Sequence, residues 1–421
     1  MKSSVLSLII FCTTAVLLMA HFVDQGKIMT PEITVPYFSG ATIMKSGEPW
    51  TFNLNDVDSL KKINSIQNKS ERVYAINHYR FSSTKLNTHD YSINQPGLLY
   101  LIRLSSFLFP FLGQIGALKL LQLFVHILLS ILILFSLSDS KKQIVFFFLY
   151  VINPFIIYLS LFPFYYFWQV INSGILVLIL LNEKKQNSYW LTTFAILFAL
   201  LYHVRVSTFP LSIFTLAFAF KKLPPLNRIV AIGILIFTIT LLNPAYLSKH
   251  PGHVMYSSLG AYPNSPVAGF SDNISFQNYN IATGNNYSYD SKPSMYDPEV
   301  IMGEARWGLD QFILFFQQKP LIIFRNAILN IFESFSFGYI TSSLSLTYFS
   351  ALLGFLFLIV LLLKRKFYSI TLILVSSSSY ILYLAPAPIY LFGTYILLVY
   401  VFVETFLTKT TTKLSLPEKS I

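Results

Sequence analysis

Two acidic side chains follow the first apolar stretch of the chain closely enough to act at a membrane surface. Asp24 comes directly after the apolar residues 5–23, and Glu32 follows eight residues later. A carboxylate held just above a membrane helix can take a proton from a hydroxyl group that arrives from the aqueous side. The same acids can instead be solvated loop charges or charges that favour a helix N-terminus. Their spacing therefore leaves base catalysis and a structural role open.

Arg205 has the chemistry best suited to a phosphate group. It follows the apolar residues 190–204, and its guanidinium offers a fixed fork of N–H donors that matches phosphate oxygens. An ionisable side chain at the end of an apolar helix is a functional candidate by default, although an arginine can also reach for lipid headgroups. His203 either donates to the same phosphate or lies at the membrane interface. Lys119 and Arg103 are expected at the same membrane face, where each can contact a lipid-linked phosphate or a lipid headgroup.

Asp56 and Asp58 form an Asp-x-Asp pair, which is one way to hold a divalent metal because hard cations prefer several carboxylate oxygens. Two acids at the start of a helix explain the same pair. The single cysteine, Cys12, excludes an internal disulfide and a cysteine-based zinc site. The sequence has no Gly-rich phosphate loop, Gly-x-Ser-x-Gly or His-Glu-x-x-His motif. We therefore expect no cofactor, with a divalent metal as the alternative.

The composition requires that a membrane position these groups. The 421 residues are 54% hydrophobic and 11% charged, whereas soluble domains carry roughly a quarter charged residues. The composition excludes a soluble globular protein and a disordered one. Runs of about 20 apolar residues, the length that crosses a bilayer, predict an all-α polytopic protein with about ten transmembrane helices. The predicted spans are residues 5–23, 114–137, 143–162, 164–181, 190–206, 207–220, 229–247, 343–363, 367–384 and 389–407.

The basic residues predict the orientation of these spans. If the N-terminus is cytoplasmic, the cytoplasmic segments hold 14 of the 30 Lys and Arg residues, whereas the short connections on the other side hold only Arg205. Cytoplasmic loops carry an excess of positive charge, so both termini are predicted to lie in the cytoplasm. The protein itself is predicted to lie in a cell inner membrane. The net charge of +12 is then mostly a topology signal, and no nucleic-acid partner is expected.

The chain is predicted to be a single membrane domain over residues 1–421 with two large external loops. These loops span residues 24–95 and 248–310, and residues 97–112 are predicted to be a juxtamembrane helix lying in the outer interface. The first apolar segment is predicted to be an uncleaved helix, with a cleaved signal peptide as the alternative. Any active site is expected on the external or periplasmic side, where the chain has enough residues to build one.

The segment after the first apolar stretch resembles the opening of the GT-C membrane glycosyltransferases, the class of the protein mannosyltransferases and the lipid A aminoarabinose transferases. Those proteins have a first helix, an acidic residue or acidic pair, then a Tyr, an Ala and a Met-x-x-Gly-x-x-Trp-like run. The family often has adjacent acids, whereas here Pro31 and Ile33 flank the acid. The corresponding residues are Glu32, Tyr37, Ala41, Met44, Gly47 and Trp50.

Further segments are similar to other parts of that family. Residues 94–100 resemble its Pro-Pro-Leu-Tyr-Tyr segment, residues 112–121 the start of its second span, and residues 201–210 its Thr-Arg-Pro turn. In the second external loop, His253 and Asp272 fit a His-x-x-Trp…Gly…Asn…Asp pattern of some bacterial relatives. The resemblance therefore covers the first ~120 residues best and the middle of the chain at two points.

The resemblance implies an inverting transferase that moves a sugar from a polyprenyl-phosphate donor to a cell-envelope glycan or lipid, such as lipopolysaccharide. In this scheme Glu32 is the base by position, and Asp24 is the second choice. The other implied partners are the acceptor and membrane lipid. Candidate substrate-binding residues are Arg205, His203, Tyr37, Arg103, Lys119, His253 and Asp272.

Two other functions fit a multi-pass protein. O-antigen polymerases and ligases also have many spans and a large external loop, but usually late in the chain. A transporter or flippase would place ionisable residues in the middle of the membrane and repeat its halves. The sequence has few charges deep in any span and no duplicated halves.

Overall fold

A computed structural model describes residues 2–28, 31–43, 51–82, 87–88, 96–242, 252–262, 267, 272–288, 291, 293, 295, 297–336, 344–381 and 389–408. Nearly all regular structure in this part of the chain is helical. The one strand pair that it contains is antiparallel and two residues long, with Thr51 opposite Thr88 and Phe52 opposite Asn87. The all-α fold class is confirmed.

The first part of the chain contains two short polar helices flanked on each side by apolar helices. Asn side chains begin two of the polar helices, because Asn53 accepts from the N–H of Asn55 and Asn68 accepts from the N–H groups of Ser70 and Glu71. The elements are α1 (Lys2–Val23), α2 (Pro31–Ile43), β1 (Thr51–Phe52), α3 (Leu54–Ser65), α4 (Lys69–His78), β2 (Asn87–Thr88), α5 (Pro96–Leu108) and α6 (Gln114–Ser136).

The rest of the chain is a series of apolar helices with one more polar segment, which contains α13 and α14. The middle elements are α7 (Ser140–Phe146), a π-helical turn (Phe147–Val151), α8 (Pro154–Ser160), α9 (Gln169–Leu181), a 3-10 turn (Glu183–Lys185), α10 (Ser188–Val204), a 3-10 turn (Val206–Thr208), α11 (Phe209–Phe214), a π-helical turn (Thr215–Ala219) and α12 (Pro225–Leu242). The last elements are α13 (Gly252–Ser258), α14 (Asp272–Thr283), α15 (Pro298–Gln318), α16 (Pro320–Ser334), α17 (Leu344–Leu363), α18 (Phe367–Ile381) and α19 (Phe392–Phe406).

Several of these helices fit a membrane by length and composition. In the described residues, Leu6–Val23, Gln114–Ser136 and Pro225–Leu242 are each long and apolar enough to cross. Two bent pairs pass the same test together: Ser140–Val151 with Pro154–Ser160, and Glu299–Gln318 with Pro320–Ser334. Only 17% of the apolar window in α1, and also in α12, is buried against protein, as expected of helices surrounded by lipid. Each of the ten predicted spans overlaps a helix in the described residues, but the number of crossings stays a prediction.

Prolines account for two differences from the predicted boundaries. The juxtamembrane helix predicted over residues 97–112 ends at Leu108, because Pro110 disfavours helical backbone just before it. The span predicted from residue 164 begins as a helix only at Gln169, after an irregular turn that follows Pro163. The second external loop was predicted to extend to residue 310, but its last part is helical, because α15 begins at Pro298.

Helices α2, α5, α6 and α10 and the irregular turn after Pro163 converge around the candidate site. Helix α2 packs on α5, and α5 packs on both α6 and α10. Gly97, in the first turn of α5, permits the closest approach, because a Cβ atom there would lie 2.8 Å from the carbonyl carbon of His203. The end of α10 is thereby fixed beside α5, next to the turn at residues 161–168.

Candidate functional site

Arg205 ends α10 and is enclosed by aromatic rings. Its guanidinium carbon lies 4.6 Å from the ring centroid of Tyr165, 4.9 Å from that of Tyr166 and 5.7 Å from that of Tyr390. The Nε–H donates to the hydroxyl of Ser207 at 3.2 Å. Only 9% of the residue is exposed. We call these three rings and Arg205 the arginine cage.

Hydroxyl and amide groups support one side of the arginine cage. The Tyr380 hydroxyl, from α18, lies 2.7 Å from Oε1 of Gln169 and 2.6 Å from the hydroxyl of Ser207. Ser207 also lies 3.5 Å from Oε1 of Gln169. The buried amide nitrogen of Gln169 has no acceptor among the described residues. The network therefore fixes the residues beside Arg205 and leaves a donor there unsatisfied.

In the described part of the chain, the positive charge of Arg205 has no acidic partner. No carboxylate in the described parts of the chain lies within ion-pair distance of its guanidinium. Ring faces attract a cation, but they do not neutralise it. Because a buried charge without a counterion is costly, this geometry favours an anionic ligand.

Tyr37 joins α2 to the arginine cage. Its buried ring meets Phe164 edge-on at 5.2 Å between centroids and Tyr165 at 6.0 Å. One ring, that of Tyr165, therefore separates Tyr37 from Arg205. The structure brings together two residues, Tyr37 and Arg205, that the sequence analysis placed in one site.

Asp24 and Lys119 form a largely buried ion pair at the end of α1. The Lys119 ammonium lies 3.0 and 3.1 Å from the two carboxylate oxygens, and the backbone N–H of Gly26 donates to Asp24 at 2.9 Å. One turn further along α6, Gln122 donates to the carbonyl oxygen of Phe164 at 3.1 Å. Helix α6 therefore ties this pair to the turn that carries the cage tyrosines. Lys119, predicted to contact a phosphate, is the partner of Asp24.

Glu32 lies apart from the arginine cage. Its carboxylate lies 2.7 Å from the Lys61 ammonium of α3, and the two side chains are 29% and 52% exposed. This partly exposed pair links α2 to α3. Among the described residues, Glu32 shares no contact with Arg205.

His203 and Arg103 also lie outside the arginine cage. The His203 ring is buried and approaches the backbone of Ile239 in α12. Arg103 is exposed on the outward face of α5, beside a cavity of about 490 Å³. Neither contacts a residue that surrounds Arg205, so a role at the same phosphate has no geometric support from these contacts.

His253 belongs to a separate cluster formed by α13, α14 and α15. Its Nδ1 lies 2.8 Å from Oε1 of Glu304, a fully buried carboxylate that also accepts a short hydrogen bond from Ser275. These contacts join α13, α14 and α15. Asp272 begins α14, and its side chain lies outside the described part of the structure.

Asp56 links α3 to α2 and to the residues that follow α4. It is buried and accepts from the hydroxyl of Tyr79 at 2.6 Å, from the hydroxyl of Ser39 at 3.2 Å and from the N–H of Ser82. Asp58 is exposed. Helix α3 begins at Leu54, so both acids lie near its start as the structural alternative predicted. The described residues contain no group of three His, Cys, Asp or Glu side chains able to hold a metal.

The sequence analysis missed most of the arginine cage. Tyr165, Tyr166 and Gln169 were assigned to a span, whereas they lie in the irregular turn or at the first residue of α9. The signal was present in the run Phe-Pro-Phe-Tyr-Tyr-Phe-Trp-Gln, because irregular backbone among apolar helices is tolerated where it is enclosed by protein. Tyr380 and Tyr390 carried no comparable signal.

Comparisons of the chain with protein-family models, curated proteins and solved structures find no match.

Proposed function

We propose that the chain is a GT-C-like membrane glycosyltransferase that transfers a sugar from a polyprenyl-phosphate donor to a cell-envelope glycan or lipid. The observation that carries the proposal is the arginine cage, in which a nearly buried cation has no acidic partner among the described residues. The predicted topology places this site at the outer face of a cell inner membrane, with both termini in the cytoplasm.

Arg205 is proposed to bind the donor phosphate. A guanidinium stays charged in an apolar setting and presents parallel donors to phosphate oxygens. As the bond between the sugar and the phosphate breaks, negative charge on the leaving phosphate grows, and a fixed cation stabilises that charge. The proposal assigns charge neutralisation to Arg205 and calls for no metal ion.

Asp24 is proposed as the base, with Glu32 as the alternative. The acceptor O–H gives its proton to the carboxylate, the oxygen attacks the anomeric carbon, and the phosphate leaves from the opposite face with inversion. Lys119 holds Asp24 in place, and α6 connects the pair to the cage turn. Glu32, paired with Lys61 on the outer surface, lacks such a connection in the described residues.

The tyrosines around Arg205 can also contact the sugar. Tyr390 is only half-buried, and Tyr166 lies 5.3 Å from it between ring centroids. Aromatic side chains combine an apolar face with a polar tip, which suits a ligand that carries both C–H groups and hydroxyls. Tyr37, behind Tyr165, is proposed to keep the cage in position.

The test is the envelope glycan of a strain from which the gene has been deleted, analysed by mass spectrometry after complementation. The wild-type gene and an Arg306→Gln control, which changes an exposed arginine of α15, are expected to restore one missing sugar. Arg205→Gln and Asp24→Asn are expected not to restore it. Uniformly short glycan chains would instead indicate a polymerase, and accumulation of complete lipid-linked intermediates would indicate a flippase.

A further inference from the structure

A cavity of about 490 Å³ lies between α2, α5 and the start of α6, apart from the arginine cage. Its volume is within the ~300–1,000 Å³ typical of small-ligand sites. Apolar and neutral polar side chains form most of the wall that the structure describes, and Arg103 is the one ionic side chain among these lining residues. The lining residues are Ala41, Thr42, Ile102, Arg103, Ser106, Phe107, Pro110 and Gln114.

Two arginines that have no acidic partner among the described residues flank this cavity. Arg103 lines it, and Arg80 donates to the carbonyl oxygen of Pro110, another lining residue, at 3.1 Å. Neither is ion-paired with an acid in the described parts of the chain. The cavity thus combines an apolar interior with positive charge at its edge, which is complementary to a ligand with an apolar chain and an anionic group.

The position of the cavity identifies a membrane lipid as that ligand. Helix α5 buries Leu98, Leu99 and Ile102 on one side, whereas the side that carries Arg103 exposes mainly apolar residues, including Phe107 at 79%. Gln114, which closes the cavity, is the first residue of α6, a helix long and apolar enough to cross a membrane. The cavity therefore lies at the end of a candidate span, at the depth of lipid phosphates.

We propose that this cavity binds an anionic phospholipid, with one acyl chain against Phe107 and the phosphate held by Arg103 and Arg80. The site is independent of the proposed transferase activity. It is also distinct from the arginine cage, because its lining shares no residue with the surroundings of Arg205. Arg103 therefore binds a resident membrane lipid and not the polyprenyl-phosphate donor.

The test is lipid retention by the purified full-length protein, measured by native mass spectrometry. Phosphatidylglycerol, phosphatidylcholine and a polyprenyl phosphate are added separately and in equimolar competition. Wild type is expected to retain phosphatidylglycerol in preference to phosphatidylcholine. Each of Arg103→Gln and Arg80→Gln should reduce that retention about fivefold, the effect of one cation near a lipid surface. Arg306→Gln is the matched control and should leave retention unchanged.

A second variant tests the cavity itself. Ser106→Leu places a larger apolar side chain in the lining, so we expect it to reduce retention of both phospholipids. Melting temperatures measured in detergent identify any variant that fails to fold. If Ser106→Leu fails to fold, the two arginine variants alone test the proposal. Wild-type retention in the Arg80→Gln/Arg103→Gln double variant would overturn the proposal. Displacement of phosphatidylglycerol by equimolar polyprenyl phosphate would also overturn it.

Discussion

The ammonium of Lys119 lies 3.0 Å from the carboxylate of Asp24, and both side chains are largely buried. The sequence analysis gave these residues separate tasks, one as a possible base and the other as a phosphate contact. The structure makes them partners that fix the end of α1 against the start of α6. A phosphate that approached Lys119 would have to compete with Asp24.

Removal of either member of this pair is expected to destabilise the protein. Asp24→Asn or Lys119→Met leaves an uncompensated buried charge or dipole, which costs about 3 kcal/mol. The double variant removes both charges and should recover part of the loss. Melting temperatures of the four proteins in one detergent measure the coupling. Equal losses that add in the double variant would contradict a direct interaction.

The same variants separate stability from catalysis. If Asp24 is the base, the double variant regains stability but stays inactive in sugar transfer. Glu32→Gln, which breaks only an exposed ion pair, should change the melting temperature little. If Glu32→Gln abolishes transfer while the double variant retains it, Glu32 is the base.

The rings of the arginine cage are expected to act through their faces. Tyr166→Phe keeps a ring over the Arg205 guanidinium, whereas Tyr166→Leu removes it and up to about 2 kcal/mol of cation–π attraction. We therefore expect Tyr166→Leu to raise KM for the lipid-linked donor by up to about thirtyfold. Tyr166→Phe should lie close to wild type. Equal effects of the two substitutions would assign the role to the hydroxyl.

High pH is expected to weaken the contact between Tyr79 and Asp56 and so to lower the stability of the protein. Burial and the hydrogen bond to Asp56 raise the pKa of Tyr79 from 10.0 to about 12. The folded state therefore favours protonated Tyr79, so its contribution is complete below pH 10 and is lost as the pH rises to about 12. Tyr79→Phe should flatten this part of the curve of melting temperature against pH. Tyr74→Phe, at an exposed tyrosine of α4, is the control and should not.

Glu304 is expected to stabilise the packing of α13 and α14 on α15. Glu304→Gln weakens the contacts with His253 and Ser275, and charged hydrogen bonds contribute about 1.5–3 kcal/mol each. Limited proteolysis should then cut residues 252–318 faster than in wild type. Glu299→Gln changes an exposed acid of the same helix and serves as the control. Unchanged proteolysis in Glu304→Gln would contradict the role.

The sequence predicted helical periodicity well because apolar runs depend on local composition. Each of the ten predicted spans overlaps a helix, whereas the apolar α2 falls within the predicted first loop. Asp56 was placed near the start of a helix. Glu304 was missed, although it lies four residues after the buried Val300 and four before the buried Gly308, on the inward stripe of α15.

The assembly of the arginine cage around Arg205 could not be predicted from local pattern. Its members come from the turn after α8, the end of α10 and the segment before α19, so only tertiary packing brings Tyr390 to Arg205. The pairing of Asp24 with Lys119, 95 residues away, has the same origin. Resemblance to short motifs pointed to Tyr37 and Arg205, but it gave no reason to separate Arg103 or Glu32 from them.

The most direct test of the central proposal is sugar transfer by the purified protein in proteoliposomes. Lipid-linked sugars extracted from membranes of the deletion strain supply the donor, and its envelope glycan supplies the acceptor. Wild type should release free polyprenyl phosphate and a glycan that is one sugar larger, and Arg205→Gln should slow this at least about 100-fold. Wild-type transfer by Arg205→Gln would contradict the account.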